Sequence, residues 1–278
     1  MWSITRRTCY TPAIPGVSRR LISKFLVRKG RMQTSSEAHV TVPQKLPGRR
    51  YDRVFFGCMV VQLLLIVFVG FARSYYLAGV FRAPLPAPIL HIHGALNTSW
   101  MLLLVVQAFL VSAKKIKWHM TLGIAGFCLA VVMVAVGFVV SANQLHRYAH
   151  DPHFDVLSFE TIPFLEQVSF AILAAAAFAL RKKAAAHKRL ILLATIVMMA
   201  AAFSRFPVQI GGHEKFAPYA IYLLLGLMAL YDLWSLHRVH AATICGALLI
   251  LAYLNFAIPI GHTAAWHQFA LWMQSFNL

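Results

Sequence analysis

Seven long apolar runs, separated by short polar segments, dominate the pattern of hydrophobic and polar positions along this chain. Each run has about 17–24 residues, which is long enough for an α-helix to cross a hydrocarbon core of ~30 Å. The pattern predicts an all-α fold, a polytopic membrane bundle of about seven transmembrane helices. We place the spans at residues 54–72, 89–112, 119–141, 164–180, 189–206, 217–235 and 240–260.

The second and third runs carry complementary stripes. On a helical period, one face of the second run presents polar side chains together with two apolar ones: His93, Asn97, Trp100, Leu104 and Gln107. The third run begins at a histidine and continues along one face with mostly small residues: His119, Gly123, Gly126, Ala130, Met133 and Gly137. A polar stripe facing a small-residue stripe predicts a closely packed helix pair.

Composition favours a membrane protein and argues against a nucleic-acid partner. The chain is 60% hydrophobic and 12% charged, whereas soluble domains have about 25% charged residues. The net charge of +18 is concentrated in the first 53 residues, which hold twelve of the 26 Lys and Arg. Most of the others lie in turns between spans, as topology-determining charges do. The predicted partner is the lipid bilayer, and a protein partner or a homo-oligomer stays open.

The distribution of basic residues predicts an orientation. If residue 1 is cytoplasmic, 21 Lys and Arg lie on the cytoplasmic side and five on the other side. This asymmetry predicts N-in and C-out, because cytoplasmic segments are rich in Lys and Arg. We expect the protein in the cell (inner) membrane, with an organellar membrane as the open alternative. The four cysteines are scattered without a CxxC pair, so we expect neither a disulfide framework nor a thiolate metal site.

Three polar segments flank or interrupt the predicted transmembrane domain, residues 51–260. Residues 1–50 are basic and broken by Pro and Gly, and we interpret them as a disordered cytoplasmic tail. An extension upstream of a start at Met32 and an organellar transit peptide are the alternatives. The connection 141–163 has three His and three acids and is expected to be solvated, with a surface metal as the alternative. Residues 261–278 predict an interfacial segment, because aromatic side chains recur along them.

Ionisable and amide groups inside spans are the candidate functional residues, because they are costly in lipid. Between the midplane and the non-cytoplasmic side we expect a polar site that uses Asn97, Glu166, Arg205 and Asn255, with His93 and His262 as candidate cofactor ligands. Gln107, on the same helix face as His93, is a further candidate for the polar site. Two roles for Glu166 stay open: a structural ion pair with Arg205, or a proton acceptor or ligand beside either histidine.

At the cytoplasmic side His119 and His187 each begin a span, so we expect them at similar depth. Haem b bound by two histidines needs two imidazoles from different helices on opposite faces of the iron. The pair therefore predicts a candidate haem b site, with nearby Lys and Arg to neutralise the propionates. Histidine beside basic residues at the start of a span is also common without any cofactor.

Three strings in residues 89–206 carry a resemblance. HGALNTSWMLLLVVQAFLV, KWHMTLGIAGFCLAVVMVAVG and AAHKRLILLAT resemble bacterial multi-pass membrane proteins of unknown function, with an HG…W…Q span and HxxLG and HKR openings. That resemblance implies the fold and no activity. A looser similarity to b-type cytochrome membrane anchors, which also begin spans with His followed by Leu-Gly, implies haem b.

Three functional hypotheses follow from the sequence. The first is a redox-type membrane protein that holds haem b or a quinone. The second is a small-solute or proton-coupled transporter built on the polar site. The third is a membrane scaffold or accessory subunit, and whether the protein is an enzyme stays open.

Overall fold

The structure, a computed structural model, describes residues 48–84, 86–206 and 213–276, without the side chains of 48–50 and 213–215. Predictions for residues 1–47 lie outside the described residues. Helices account for nearly all of the described chain, which contains no strand. The predicted all-α fold is confirmed.

Eleven α-helices and one π-helical segment follow one another along the described chain. The first helix, α1, continues directly into the π-helical turn Ala72–Tyr76. The helices are α1 (Gly48–Phe71), α2 (Ala78–Phe81), α3 (Pro88–Ser112), α4 (Ile116–Arg147), α5 (Val156–Phe159), α6 (Thr161–Ala179), α7 (Ala184–Val197), α8 (Ala200–Phe203), α9 (His213–Leu236), α10 (Ala241–Gly261) and α11 (Ala264–Gln274).

Seven helical segments are long and apolar enough to cross a membrane. They are Tyr51–Tyr76, Pro88–Ser112, Ile116–Arg147, Val156–Ala179, Ala184–Phe203, Phe216–Leu236 and Ala241–Gly261. The protein is therefore a multi-pass integral membrane protein. Its outward-facing apolar side chains, such as Phe109 and Leu223, are about two-thirds exposed and contact the lipid. The N-in orientation and the particular membrane stay predictions.

The fifth span, α7 with α8, forms the centre of the bundle. Two-thirds of its most apolar window is buried within the protein, more than in any of the other six candidate spans. Leu193, Ala194, Ile196 and Val197 are all fully buried. This span is hydrophobic all round because other helices, rather than lipid, surround it.

Small residues set the spacing between neighbouring helices. The Gly126 position of α4 lies against Leu103 of α3, where an added Cβ would be 2.8 Å from the leucine Cδ2. The Gly246 position of α10 lies against Leu193 and Leu173 in the same way. The predicted small-residue stripe of the third span therefore does face the second span.

The long connection is shorter than predicted. Helix α4 continues to Arg147, so the loop begins at 148 rather than 141. The reason is tertiary, because Leu145 is fully buried beneath Trp266, Ala270 and Met273 of the C-terminal segment. Helix α11 lies within residues 261–278, with Trp266 buried and Trp272 57% exposed; its interfacial position stays a prediction.

The bundle has a cationic end and an opposite end. The cationic end comprises the turns 113–115, 180–183 and 237–240, and the opposite end comprises residues 148–155 and 262–263. At the cationic end Arg189 of α7 and Asp232 of α9 form an ion pair in which each side chain is 2% exposed. Both groups are fully hydrogen-bonded, so we assign the pair a structural role.

Candidate functional site

His119 and His187 come together at the cationic end. Their ring centroids lie 6.3 Å apart and the ring planes are 77° to each other. His119 comes from the first turn of α4 and His187 from the first turn of α7. Both helices begin after basic turns on the same side, which sets the shared depth, and packing on α6 brings the two rings side by side.

The hydrogen bonds of this pair leave ring nitrogens available. The Nδ1 atom of His187 lies 2.9 Å from the carbonyl oxygen of Ala177. A carbonyl only accepts, so Nδ1 carries the proton and Nε2 keeps its lone pair. The Nδ1 atom of His119 is buried and has no hydrogen-bond partner among the described residues.

The side-chain amide of Gln107 lies beside α4 about one helical turn further into the bundle than His119. Gln107 of α3 lies close to the Gly123 position of α4, where an added Cβ would be 3.7 Å from the amide nitrogen. The Oε1 atom of Gln107 is buried without a partner among the described residues. Gln107, a predicted polar-site residue, lies near the end of α3, towards the cationic end.

Glu166 lies in a second polar region, towards the opposite end. Tyr253 of α10 donates a hydrogen bond of 3.1 Å to its Oε2 atom. Trp100 of α3 packs against Phe170 of α6, and both Asn97 and Glu166 lie about one turn, or ~5–6 Å, from these rings along their helices. Asn97 and Glu166 therefore share one depth in the bundle.

His93 lies one further turn along the same face of α3. Its Nδ1 atom is buried and has no hydrogen-bond partner among the described residues. Asn97 donates to the His93 carbonyl oxygen at 2.8 Å, so this amide is used within its own helix. The imidazole of His93 is the group in this region that remains available for a ligand.

Arg205 and Glu166 make no ion pair within 4.0 Å in the described chain. Arg205 instead donates to the carbonyl oxygen of Ala201 at 2.6 Å and lies 4.9 Å from the centre of the Phe71 ring. The predicted structural ion pair is therefore not formed as a contact. The Arg205 guanidinium thus turns back onto the end of its own helix, which stops at Phe203.

The remaining predicted residues lie elsewhere. Asn255 is exposed and donates to the carbonyl oxygen of Leu251 and, at 3.4 Å, to the Tyr222 hydroxyl. His262 contacts Ser158 through Nδ1 at 3.2 Å, at the opposite end. The residues of the predicted polar site therefore do not form one site. On α10, residues two positions apart, such as Tyr253 and Asn255, face different neighbours.

The sequence analysis missed a buried acid at the opposite end. Glu160 was assigned to a solvated connection, but its side chain is 1% exposed. Nearby, the Ser158 hydroxyl oxygen lies 3.2 Å from His262 Nδ1 and 3.1 Å from His267 Nε2. Hydrogen bonds from the Ser158 hydroxyl and backbone N–H hold the pKa of the exposed Asp155 below its ordinary value. The available signal was the apolar pattern of the flanking residues VLSFETIPF.

No three His, Cys, Asp or Glu side chains of the described residues come together as a metal site. The outer-loop histidines therefore do not form the surface metal cluster that was the alternative interpretation of that loop. A haem site, which needs two protein ligands rather than three, is a separate question.

Fold and site together define the class as a seven-span integral membrane protein with two polar regions at different depths. Comparison of the chain with protein families, with curated proteins and with solved structures finds no match. The resemblance to bacterial multi-pass membrane proteins therefore stays a prediction.

Proposed function

We propose that this integral membrane protein is a redox protein that holds haem b between His119 and His187. The observation that carries the proposal is the 6.3 Å separation of the two ring centroids. A metal atom bound in line by two imidazoles places their ring centres about 6 Å apart, given metal–nitrogen bonds of ~2 Å and ~1.1 Å from nitrogen to ring centre. The separation of the two rings is therefore compatible with one metal atom between them.

The hydrogen bond of His187 supports the same role. Metal-binding histidines commonly donate the other ring N–H to a carbonyl, which fixes the tautomer and orients the ring. The Ala177 carbonyl oxygen occupies that position here. His119 has an unused buried nitrogen, so binding a metal would not cost it an existing hydrogen bond through that atom.

Electrostatics at the cationic end suit the anionic edge of haem. Five exposed lysines follow or precede the two histidine-bearing helices: Lys114, Lys115, Lys117, Lys182 and Lys183. These ammonium groups are available for charge-assisted hydrogen bonds to propionate carboxylates. Bound haem would supply one-electron transfer; His119 and His187 would hold it, and the lysines would pair with its carboxylates.

Absorption spectroscopy tests the proposal. Protein produced with haem available and purified in mild detergent is expected to show a Soret band and a pyridine-haemochrome signal. His119→Ala and His187→Ala are each expected to lose most of both signals, whereas the exposed His150→Ala is the matched control. Protein of native fold that lacks both signals, or variants that retain them, would refute the haem assignment.

A proton-coupled transporter is the second candidate function. The supporting observation is the enclosed Glu166, which Tyr253 reaches at 3.1 Å, together with the unpartnered Nδ1 atom of His93. Ionisable residues inside membrane bundles often mark proton or substrate pathways. The Glu166 carboxyl would take up and release the proton, with the Tyr253 hydroxyl as its donor.

Transport is tested in proteoliposomes with an imposed pH gradient. Glu166→Gln keeps the shape of the side chain and is expected to abolish proton flux or coupled uptake, whereas Asp151→Asn in the exposed loop leaves it unchanged. Unaltered flux in the Glu166 variant would exclude this role for the carboxyl.

A further inference from the structure

Glu160 is a buried acid without a counter-charge. Its side chain is 1% exposed, and neither carboxylate oxygen has a hydrogen bond of normal geometry among the described residues. The adjoining Thr161 is fully buried, and its hydroxyl also has no partner. Ser141 of α4 is 4% exposed, and its hydroxyl interacts electrostatically with the Glu160 carboxyl.

These groups converge from separate helices. Glu160 and Thr161 lie where α5 ends and α6 begins, within one membrane span that is divided into two helices at this point. Gly261 of α10 closes the site, because an added Cβ there would be 2.8 Å from the Thr161 hydroxyl. Interrupted spans in transporters provide ion sites of this kind, with side-chain and backbone oxygens exposed at the interruption.

No basic side chain neutralises the Glu160 carboxylate. The two ion pairs of the described chain are Lys188–Asp52 and Arg189–Asp232, both at the cationic end. His262 and His267 contact the Ser158 hydroxyl, two residues away in the chain. An isolated ionised carboxylate is strongly unfavourable in a low-dielectric interior, so either a proton or a bound cation is expected to neutralise it.

The chemistry of the oxygens indicates which cation fits. All available ligands are oxygens, two from a carboxylate and two from hydroxyls, which are the donors that hard cations prefer. The single carboxylate balances one positive charge. Calcium sites use six to eight oxygens, commonly with several carboxylates. A monovalent hard cation is therefore the better match.

We propose that the Glu160 carboxylate and the hydroxyls of Ser141 and Thr161 form a sodium-binding site at the opposite end of the bundle. Backbone carbonyls at the α5–α6 junction or water complete the coordination. The bound ion joins α4 to the α5–α6 junction, so its binding stabilises the folded protein. The site is independent of His119 and His187, and its test does not depend on haem.

Thermal unfolding of the purified full chain in detergent tests the site. The melting temperature is measured at constant ionic strength while NaCl replaces choline chloride, and in parallel while KCl replaces it. Sodium is expected to raise the melting temperature with saturation, because a ligand of the native state stabilises it. Glu160→Gln is expected to lose this increase, whereas Asp151→Asn in the exposed loop retains it.

A second variant keeps the test decisive if Glu160→Gln does not fold. Thr161→Val removes one oxygen and keeps the carboxylate, and it is expected to raise the sodium midpoint at least tenfold. Equal responses to sodium, potassium and choline would overturn the proposal. So would an infrared band of a protonated carboxyl that persists in saturating sodium at pH 8, because the proton would then be the occupant.

Discussion

Removing one partner of the Arg189–Asp232 ion pair is expected to destabilise the protein strongly. The Asp232 carboxylate accepts hydrogen bonds from Arg189 Nε at 2.9 Å, from the Thr243 hydroxyl at 2.6 Å and from the His240 N–H at 3.1 Å, and also pairs with Arg189 Nη2. Asp232→Ala leaves all of these donors without their acceptor. Arg189, which is 2% exposed, keeps the Ala185 carbonyl oxygen as an acceptor.

The magnitude follows from burial. Breaking a buried ion pair on one side costs about 3–5 kcal/mol, because an uncompensated charge remains in the interior. Replacing both partners by apolar residues of similar volume, Arg189→Met with Asp232→Leu, removes that charge and is expected to recover about half of the loss or more. The coupling energy of the double-mutant cycle is then expected to exceed about 3 kcal/mol, the upper end of the range usual for contacting residues.

The assay is equilibrium unfolding in detergent with increasing SDS, followed by circular dichroism. Lys188 and Asp52 provide the matched control, because this ion pair has side chains 27% and 34% exposed. Lys188→Met is expected to cost less than about 1 kcal/mol. A loss below 1 kcal/mol for Asp232→Ala, or an equal loss for both pairs, would refute the assignment of Arg189–Asp232 as a structural contact.

Three further predictions concern packing, a polar contact and a helix cap. Gly246→Ala is expected to cost about 1–3 kcal/mol of unfolding free energy, because its Cβ would lie 2.6 Å from Leu193 Cδ1; the same SDS titration measures it. Tyr253→Phe is expected to cost about 1–3 kcal/mol by removing the donor to Glu166, again in SDS unfolding. His240→Ala is expected to lower stability by about 1 kcal/mol, because the Nδ1 atom accepts from the Ala242 N–H at the start of α10. Burial, followed by the Arg189 charge, lowers the pKa of His240. The capping contribution is therefore complete above the ordinary histidine pKa and is lost as pH falls through the lower folded value; melting temperature against pH measures it.

Each of these predictions has a control within the chain. Gly226→Ala adds a Cβ with nothing within 4 Å and is expected to stabilise its helix, so a loss at both glycines would contradict the packing argument. Tyr222→Phe affects only a 3.4 Å contact to the exposed Asn255, and an equal cost there would contradict the Glu166 contact. His240→Asn supplies another capping acceptor, so failure to recover stability would contradict the cap.

The spans themselves were predictable because each depends on local sequence. Twenty apolar residues are sufficient to cross lipid whatever their neighbours are, and the structure has helices at all seven predicted positions. Depth was also predictable for His119 and His187, because both directly follow basic turns on the same side. Gly126 was assigned to a packing face for a similar local reason, since a small residue on an apolar helix allows close approach.

Lateral contacts could be decided only by the tertiary structure. Glu160 belongs to a polar, charged segment by sequence, yet it is buried because α4, α6 and α10 close around it. By sequence Arg189 is one of several cations in a basic turn, and only the packing of α9 shows that Asp232 lies beside it. Hydropathy fixes position along the membrane normal, whereas the rotation and order of helices in the plane depend on packing between residues distant in sequence. For this reason the ring centroids of His119 and His187 lie 6.3 Å apart although the two residues are 68 positions apart in the sequence, whereas Glu166 and Arg205 form no ion pair.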